Sequence, residues 1–391
     1  MIRAPLLFAF IGLACVGARA ACAAPTAPVP LPARAPAVIG GELIQAFNHR
    51  DEPALTDLID MNAFGLRAAK SMYDDPGQQA AFARGLAHAG AHNILQSYFK
   101  SLDATQGTMK LLREVERDRQ RLVLTRIDLK TKGFDWLEFV IEPDNAGRPR
   151  VVDWFQLSRG ELLSVTVGAL GRLLFDPNPD LIHTLLGVPK VDAEVVEQMK
   201  QIGALQRAGD YSGELVALSK LPQPIAESRR LLMVRAATAS IAGQDAVYRS
   251  TLDVVAQRYG NDPAAAFMLL DHYILENQTA NALHSIAVIE QRVGADGATS
   301  LLKANVYLLS GAFAPGIACA QESIRLEPQL SSGYFSLARG YVGLQDYPQA
   351  ISVYRTLSSQ FGYRFERRGF AAEPKYAAFV QSDAFAKWLP P

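Results

Sequence analysis

Cysteine is scarce in this chain of 391 residues. The three are Cys15, Cys22 and Cys319. So few exclude a disulfide framework, and none are paired at zinc-ligand spacing. Cys319 falls at an apolar helical position and reads as a buried core thiol. Net charge is also lacking: 39 basic residues balance 39 acidic ones, and no Lys/Arg block interrupts the balance. Nothing electrostatic therefore points to nucleic acid. Histidines number six, at His49, His88, His92, His183, His272 and His284. Of these, His88 and His92 stand four apart, on one face of any helix of ~3.6 residues per turn. Ala89 occupies the place where a zinc-protease helix carries glutamate, and no third ligand is identifiable. Polar or packed histidines are the default reading, and no metal is expected. Gly-x-Ser-x-Gly and a strand-borne glycine-rich phosphate loop are both missing, so no cofactor is expected either.

Long apolar runs are missing beyond the N-terminus. There, Arg3 precedes an apolar stretch from Leu6 to Val16, followed by the small-x-small sites Ala18-Arg19-Ala20 and Ala21-Cys22-Ala23. Residues 1–23 read as a cleaved secretory signal. The stretch is shorter than the ~20 residues a membrane span needs. Arg19 stands where a lipoprotein site wants an aliphatic residue three before Cys22, which argues against lipidation. The expected location is periplasmic or secreted.

With 49% hydrophobic and 20% charged residues, the remainder has ample material for a packed core. Residues 24–39 form a Pro/Ala-rich linker, because Pro25, Pro28, Pro30, Pro32 and Pro36 resist helix. Residues 40–158 read as an α+β domain. Helical spacing links Leu43, Ile44 and Phe47, then Leu55, Leu58 and Ile59. Asp75-Pro76-Gly77 interrupts it, and a longer helical stretch follows through Ile94, Leu95, Tyr98 and Phe99. Gly85 and Gly90 weaken the middle, leaving one helix or two shorter ones. Residues 108–157 then alternate in short runs, with turn signals at Asp118-Arg119, Lys132-Gly133 and Asp144-Asn145-Ala146-Gly147. That spacing predicts an antiparallel meander. Residues 159–189 read as amphipathic bridging helices between two domains.

A period of 34 residues governs the rest. Tyr273, Tyr307 and Tyr341 align, as do Ala282, Gly316 and Ala350. Turn positions fall on Gly209, Gly243, Asn277, Gly311 and Gln345, and unit ends on Gly260, Gly294, Pro328 and Gly362. Such a period, with small residues where two helices touch, predicts an all-α solenoid over 190–362 with three to five helix pairs. Glu214 replaces the contact alanine in the first unit, and Ala246 arrives early in the second, which suggests a shortened turn there. Residues 363–391 read as capping helices: Glu373-Pro374 starts one carrying Tyr376 and Phe379, and Ser382-Asp383 starts another carrying Phe385 and Trp388.

These units resemble the tetratricopeptide repeat family. In residues 331–362, Tyr334 stands for its first aromatic, Leu337-Ala338 for its Leu-Gly pair, Tyr341 for its second aromatic, Ala350 for the contact alanine and Tyr354 for the second-helix aromatic. In that family the first helix of each pair lines the inner wall. The resemblance therefore implies two inner rows here. One is Met199, Met233, Phe267, Leu301 and Phe335; the other is Gly203, Ala237, Asp271, Asn305 and Arg339. Apolar anchors beside a mixed polar row suit an extended or helical partner segment; the alternative is that the apolar row packs against the domain's own helices or the tail. The candidate partner-binding residues are Met233, Phe267, Asp271, Leu301, Asn305, Phe335 and Arg339. The inner row lacks the lysines that would clamp a C-terminal carboxylate. The element order of residues 40–158 is loosely similar to nuclear-transport-factor-like cone-shaped domains. That likeness implies a pocket at the open end of the sheet. Asp128, Glu138 and Asp153 lie on predicted strands near Trp136 and Trp154, though polar residues on a half-buried sheet ordinarily face solvent.

The expectation is an exported, non-enzymatic scaffold that binds a protein or peptide. The alternative is a small-molecule-binding or enzymatic N-terminal domain, with the repeats serving to form a homo-oligomer.

Overall fold

The computed structural model describes residues 29–30, 38–70, 72–130, 133–168 and 193–390. The expected signal segment lies outside them, as does most of the bridging region. Among the described residues, no helix is long and apolar enough to cross a membrane. The chain divides into two compact units, residues 1–266 and 267–391.

The first unit opens with α1 (Val38–His49), α2 (Glu52–Leu58), α3 (Met61–Lys70) and α4 (Pro76–Thr105). Aspartates start two of them: Asp51 Oδ1 accepts from the Ala54 amide at 3.0 Å, and Asp75 Oδ1 from the Gln78 amide at 2.8 Å. Each takes up an amide that the first helical turn leaves without a partner. Despite Gly85 and Gly90, α4 is one helix of 30 residues. Each glycine costs about 1 kcal/mol of helix propensity, and the packing of Leu95, Tyr98, Phe99 and Leu102 into the core outweighs that cost.

The sheet runs in the order β1 to β6, every neighbouring pair antiparallel. Its long strands are β2 (Thr108–Arg117), β3 (Gln120–Leu129), β4 (Gly133–Pro143) and β5 (Pro149–Gln156). The predicted meander is thus present. Asp118 and Arg119 both take positive φ, the geometry of a two-residue hairpin turn. Asp144 Oδ1 closes the next hairpin by accepting from the amides of Ala146 and Arg148. Two short strands complete the sheet, β1 (Val29–Pro30) against β2 and β6 (Glu161–Leu162) against β5. Val29–Pro30 lies in the stretch read as an unstructured linker. A proline is tolerated there because β1 is an edge strand.

One face of the sheet packs on the helices. Phe47 meets Phe139 at 5.8 Å, and Phe64 stacks on Trp154 at 5.5 Å. The other face is also covered: Leu122, Leu124, Arg126, Glu138, Val140 and Asp153 are all buried. This departs from the expected half-solvated sheet. Helical backbone resumes at Leu163.

Five helix pairs follow. They are α5 (Ala193–Ala208) with α6 (Tyr211–Ser219), α8 (Arg229–Ile241) with α9 (Asp245–Tyr259), and α10 (Pro263–Leu275) with α11 (Thr279–Val293). After them come α12 (Gly297–Leu309) with α13 (Phe313–Leu326) and α14 (Ser331–Gly343) with α15 (Tyr347–Phe361). A one-turn helix, α7 (Gln223–Ala226), sits between the first two pairs. Second helices begin at 211, 245, 279, 313 and 347, always 34 apart. The second pair therefore keeps full register, and its turn is not shortened. Tyr248, rather than Ala246, occupies its contact position. Within the first unit, Arg229 donates to the Gly160 carbonyl at 3.1 Å and Arg230 pairs with Glu161, tying α8 to the end of the sheet.

All five turn residues are left-handed: Gly209, Gly243, Asn277, Gly311 and Gln345 have φ between 55° and 78°. Glycine adopts this freely, whereas other L-residues pay about 1–2 kcal/mol. Gln345→Gly is expected to raise the unfolding free energy of the last pair by about 1 kcal/mol, read from its denaturation midpoint. Packing makes the opposite demand at the contact alanines. Ala304, Ala338 and Ala350 have no surface open to water and share one cluster with Ile317 and Ile351. Ala338→Trp is expected to overpack that cluster and destabilise by about 1–3 kcal/mol, seen as early thermal loss of helical ellipticity.

The tail forms α16 (Arg367–Ala371), a 3₁₀ turn (Pro374–Tyr376), α17 (Ala377–Val380) and α18 (Asp383–Trp388). Ser382 caps α18 as its sequence indicated, its Oγ accepting from the Phe385 amide at 3.2 Å.

Candidate functional site

The implied inner residues of the second unit come from corresponding positions on α10, α12 and α14, two per helix and four residues apart. Helical geometry puts such pairs on one face. Asn305 and Arg339, 34 apart in sequence, meet directly: the Arg339 Nη2 donates to the Asn305 Oδ1 at 3.3 Å. Ser336 Oγ donates to the same oxygen at 2.8 Å. The polar row is thus joined between α12 and α14.

Asp271 stands one repeat earlier in that row. Its side chain is open to water but has no hydrogen bond or ion pair among the described residues. Even so, the surrounding protein displaces enough solvent to push its carboxyl above the ordinary value. Arg339 is half-buried, and burial holds its guanidinium below the usual value. Tyr354 and Tyr376 lie close enough to oppose that shift.

The apolar row is less available. Leu301 is 3% exposed and Met233 8%, so both serve the packing between helices instead of a surface. Met233 Sδ lies 3.8 Å from Arg229 Nη1. Met199 is buried as well. Phe335 is half-buried, but the chain's own tail covers it: the ring meets Tyr363 at 4.9 Å and Phe365 at 6.2 Å. Phe267, beside Asp271 on α10, is half-buried too and has contacts of its own within the chain. Phe335 thus follows the alternative reading of the apolar row, packing against the chain's own tail. The aromatic spacing Tyr363-x-Phe365, immediately after the last repeat, was the available signal.

The N-terminal candidates resolve differently. Glu138 is buried and accepts two hydrogen bonds from Arg117 Nη1, at 2.7 and 2.8 Å. Asp153 is buried and held by Ser164, whose amide and hydroxyl donate at 3.1 and 2.5 Å; burial still pushes its carboxyl up. Asp128 pairs with Arg126. None is the solvent-facing residue expected. Strand register also puts Trp136 and Trp154 on opposite faces of the sheet.

A cleft of about 80 Å³ does open beside the sheet, lined by Tyr98, Asp135, Gln156, Ser158 and Arg159 among others. Asp135 was not anticipated. Its carboxylate accepts from the Trp136 and Ser158 amides, Gln156 Nε2 and Ser158 Oγ, and burial pushes its pKa up. Gln156 in turn accepts from Tyr98, which accepts from Trp154 Nε1. The network is closed on itself, and the space is well below the ~300 Å³ of a drug-sized ligand site.

His92 bonds to Glu52 at 2.8 Å, and His88 is exposed. Among the described residues no group of three or more His, Cys, Asp or Glu side chains is placed to hold a metal. Cys319 is half-buried, with its thiol pushed up by burial. No protein-family model matches the sequence, and comparison with curated proteins finds no significant relative.

Proposed function

We propose that the helical run is a tetratricopeptide-type solenoid and that the protein is an exported adaptor. It holds a protein or peptide segment along the face formed by α10, α12 and α14. The observation that carries this reading is the polar row Asp271–Asn305–Arg339. It is joined between α12 and α14 by the Arg339–Asn305 bond and open to water at Asp271, which makes no hydrogen bond or ion pair among the described residues. An exposed carboxylate that makes no hydrogen bond or ion pair among the described residues is open to an incoming group, which favours recognition over packing.

Affinity capture from an envelope fraction tests it. The parent chain should recover a partner that a Phe267→Ala/Asp271→Ala double variant, folded by circular dichroism, loses. Equal recovery by both would remove the face from the function.

The second reading is an N-terminal domain that binds a ligand of a few atoms, the most that the Asp135 cleft of about 80 Å³ would hold. A ligand for the cleft would raise the thermal midpoint of the full chain, and Asp135→Asn would abolish that rise.

A further inference from the structure

We propose that the segment held on this face offers a cationic side chain to Asp271 and a carboxylate to Arg339, about three residues apart along an extended backbone. This rests on the adaptor reading above and gives its partner a chemistry.

The two charges on the face are opposite, yet neither neutralises the other. Asp271 has no partner among the described residues, and no cation offsets the solvent it has lost. For Arg339 the sole acceptor given by the geometry is the neutral Asn305 amide at 3.3 Å. Its Nε is buried without an acceptor, and its nearest ionisable neighbours are the phenols of Tyr354 and Tyr376. The side chain as a whole is half-buried, and a carboxylate brought to its accessible edge would add charge-assisted bonds about twice as strong as neutral ones. An ammonium or guanidinium delivered to Asp271 would do the same there.

Geometry sets the spacing. Because Arg339 reaches back to Asn305, its guanidinium lies in the register of α12, one helix from Asp271. Neighbouring helix axes are ~8–10 Å apart. An extended chain rises ~3.3 Å per residue, so about three residues separate the complementary charges. Phe335 is already covered by Tyr363 and Phe365.

The chain's own proline-rich stretch does not meet the requirement. Residues 24–39 carry one charge, Arg34, and no carboxylate. It can satisfy Asp271 but leaves Arg339 as it is.

The probe is a displayed library of random twelve-residue peptides, selected on the full-length chain. Enriched peptides should pair Lys or Arg with Asp or Glu two to four positions apart. Asp271→Asn and Arg339→Gln should each weaken a selected peptide at least tenfold. An Asp271→Arg/Arg339→Asp variant should prefer the peptide with its two charges exchanged. Peptides whose binding falls with Phe267→Ala but ignores both charge variants would overturn this proposal and leave the adaptor reading standing. No selectable peptide at all would overturn both. Tighter binding of a synthetic 24–39 peptide than of any selected one would assign the face to the chain's own N-terminal segment instead.

Discussion

Glu214→Met is expected to stabilise the first unit by about 2–3 kcal/mol at pH 8, and by less than about 1 kcal/mol at pH 5. Glu214 has no surface open to water, and neither carboxylate oxygen has a hydrogen-bond partner. Its backbone position is where the later pairs carry Ala282, Gly316 and Ala350. Burial raises its pKa to about 7, with only the Thr238 hydroxyl pulling the other way. In the unfolded chain the group titrates near 4.5. Below that pH it is neutral in both states and costs nothing. Between pH 4.5 and 7 the unfolded state loses its proton first, so stability falls by up to ~1.4 kcal/mol for each pH step of one. Above pH 7 the folded state ionises too, and the loss levels off. Methionine fills similar space without a charge. Hydrogen exchange over residues 193–241, measured for both proteins from pH 5 to pH 8 after correction for intrinsic rates, reads the difference. A gap that does not widen with pH would show that Glu214 is hydrated in solution.

The same residue shows what the sequence made legible. The substitution at the contact position was visible because the 34-residue period is written in turn chemistry: Gly209, Gly243, Asn277, Gly311 and Gln345 each take a left-handed conformation. Helix pairs are local, so turn spacing and small residues suffice to predict them. Ala246 misled, because one small residue is weaker evidence of register than the recurrence of the turn itself. The sheet was harder. Its strands and hairpins were legible, but the fate of its polar residues was not. Glu138 is satisfied by Arg117, 21 residues away, and Asp135 by Gln156 and Ser158 across two strands. Such partners depend on register, which the sequence specifies only through burial of a face. One signal was present and passed over: Leu122-Val123-Leu124 is a continuous apolar run, as expected of a strand buried on both faces. On the helical face the candidates divided for a similar reason. Asp271, Asn305 and Arg339 are polar and stayed accessible or half-accessible, whereas Leu301 and Met233 found apolar neighbours within the stack.

Phe379→Ala is expected to cost about 3–5 kcal/mol, the range for truncating a fully buried aromatic ring, and to release the whole tail. Phe379 has no exposed surface and lies within aromatic contact of six rings: Phe385 at 4.8 Å, Tyr347 at 5.3 Å, Phe370 at 5.8 Å, Tyr354 at 6.2 Å, Trp388 at 6.4 Å and Tyr376 at 6.5 Å. Two of those, Tyr347 and Tyr354, belong to α15, and the others to the tail. The ring is therefore the joint between the last helix pair and what closes it. A stacked array gains stability from each neighbour, and its last member has a neighbour on one side alone. Here the tail supplies the missing one, with Trp388 stacked on Tyr354 at 5.3 Å and 13°. Loss of Phe379 should consequently speed hydrogen exchange across 331–388 first, while residues 279–309 exchange as before. The variant should also self-associate on warming, because Tyr347 and Tyr354 would be left facing water. Trp388→Ala, at a half-buried position on the rim of the same cluster, should cost less and leave α17 protected. A Phe379→Ala protein that exchanges like the parent through α15 would mean that the last pair stands without its cap. The tail's grip on Phe335 would then be its principal contact with the row of first helices.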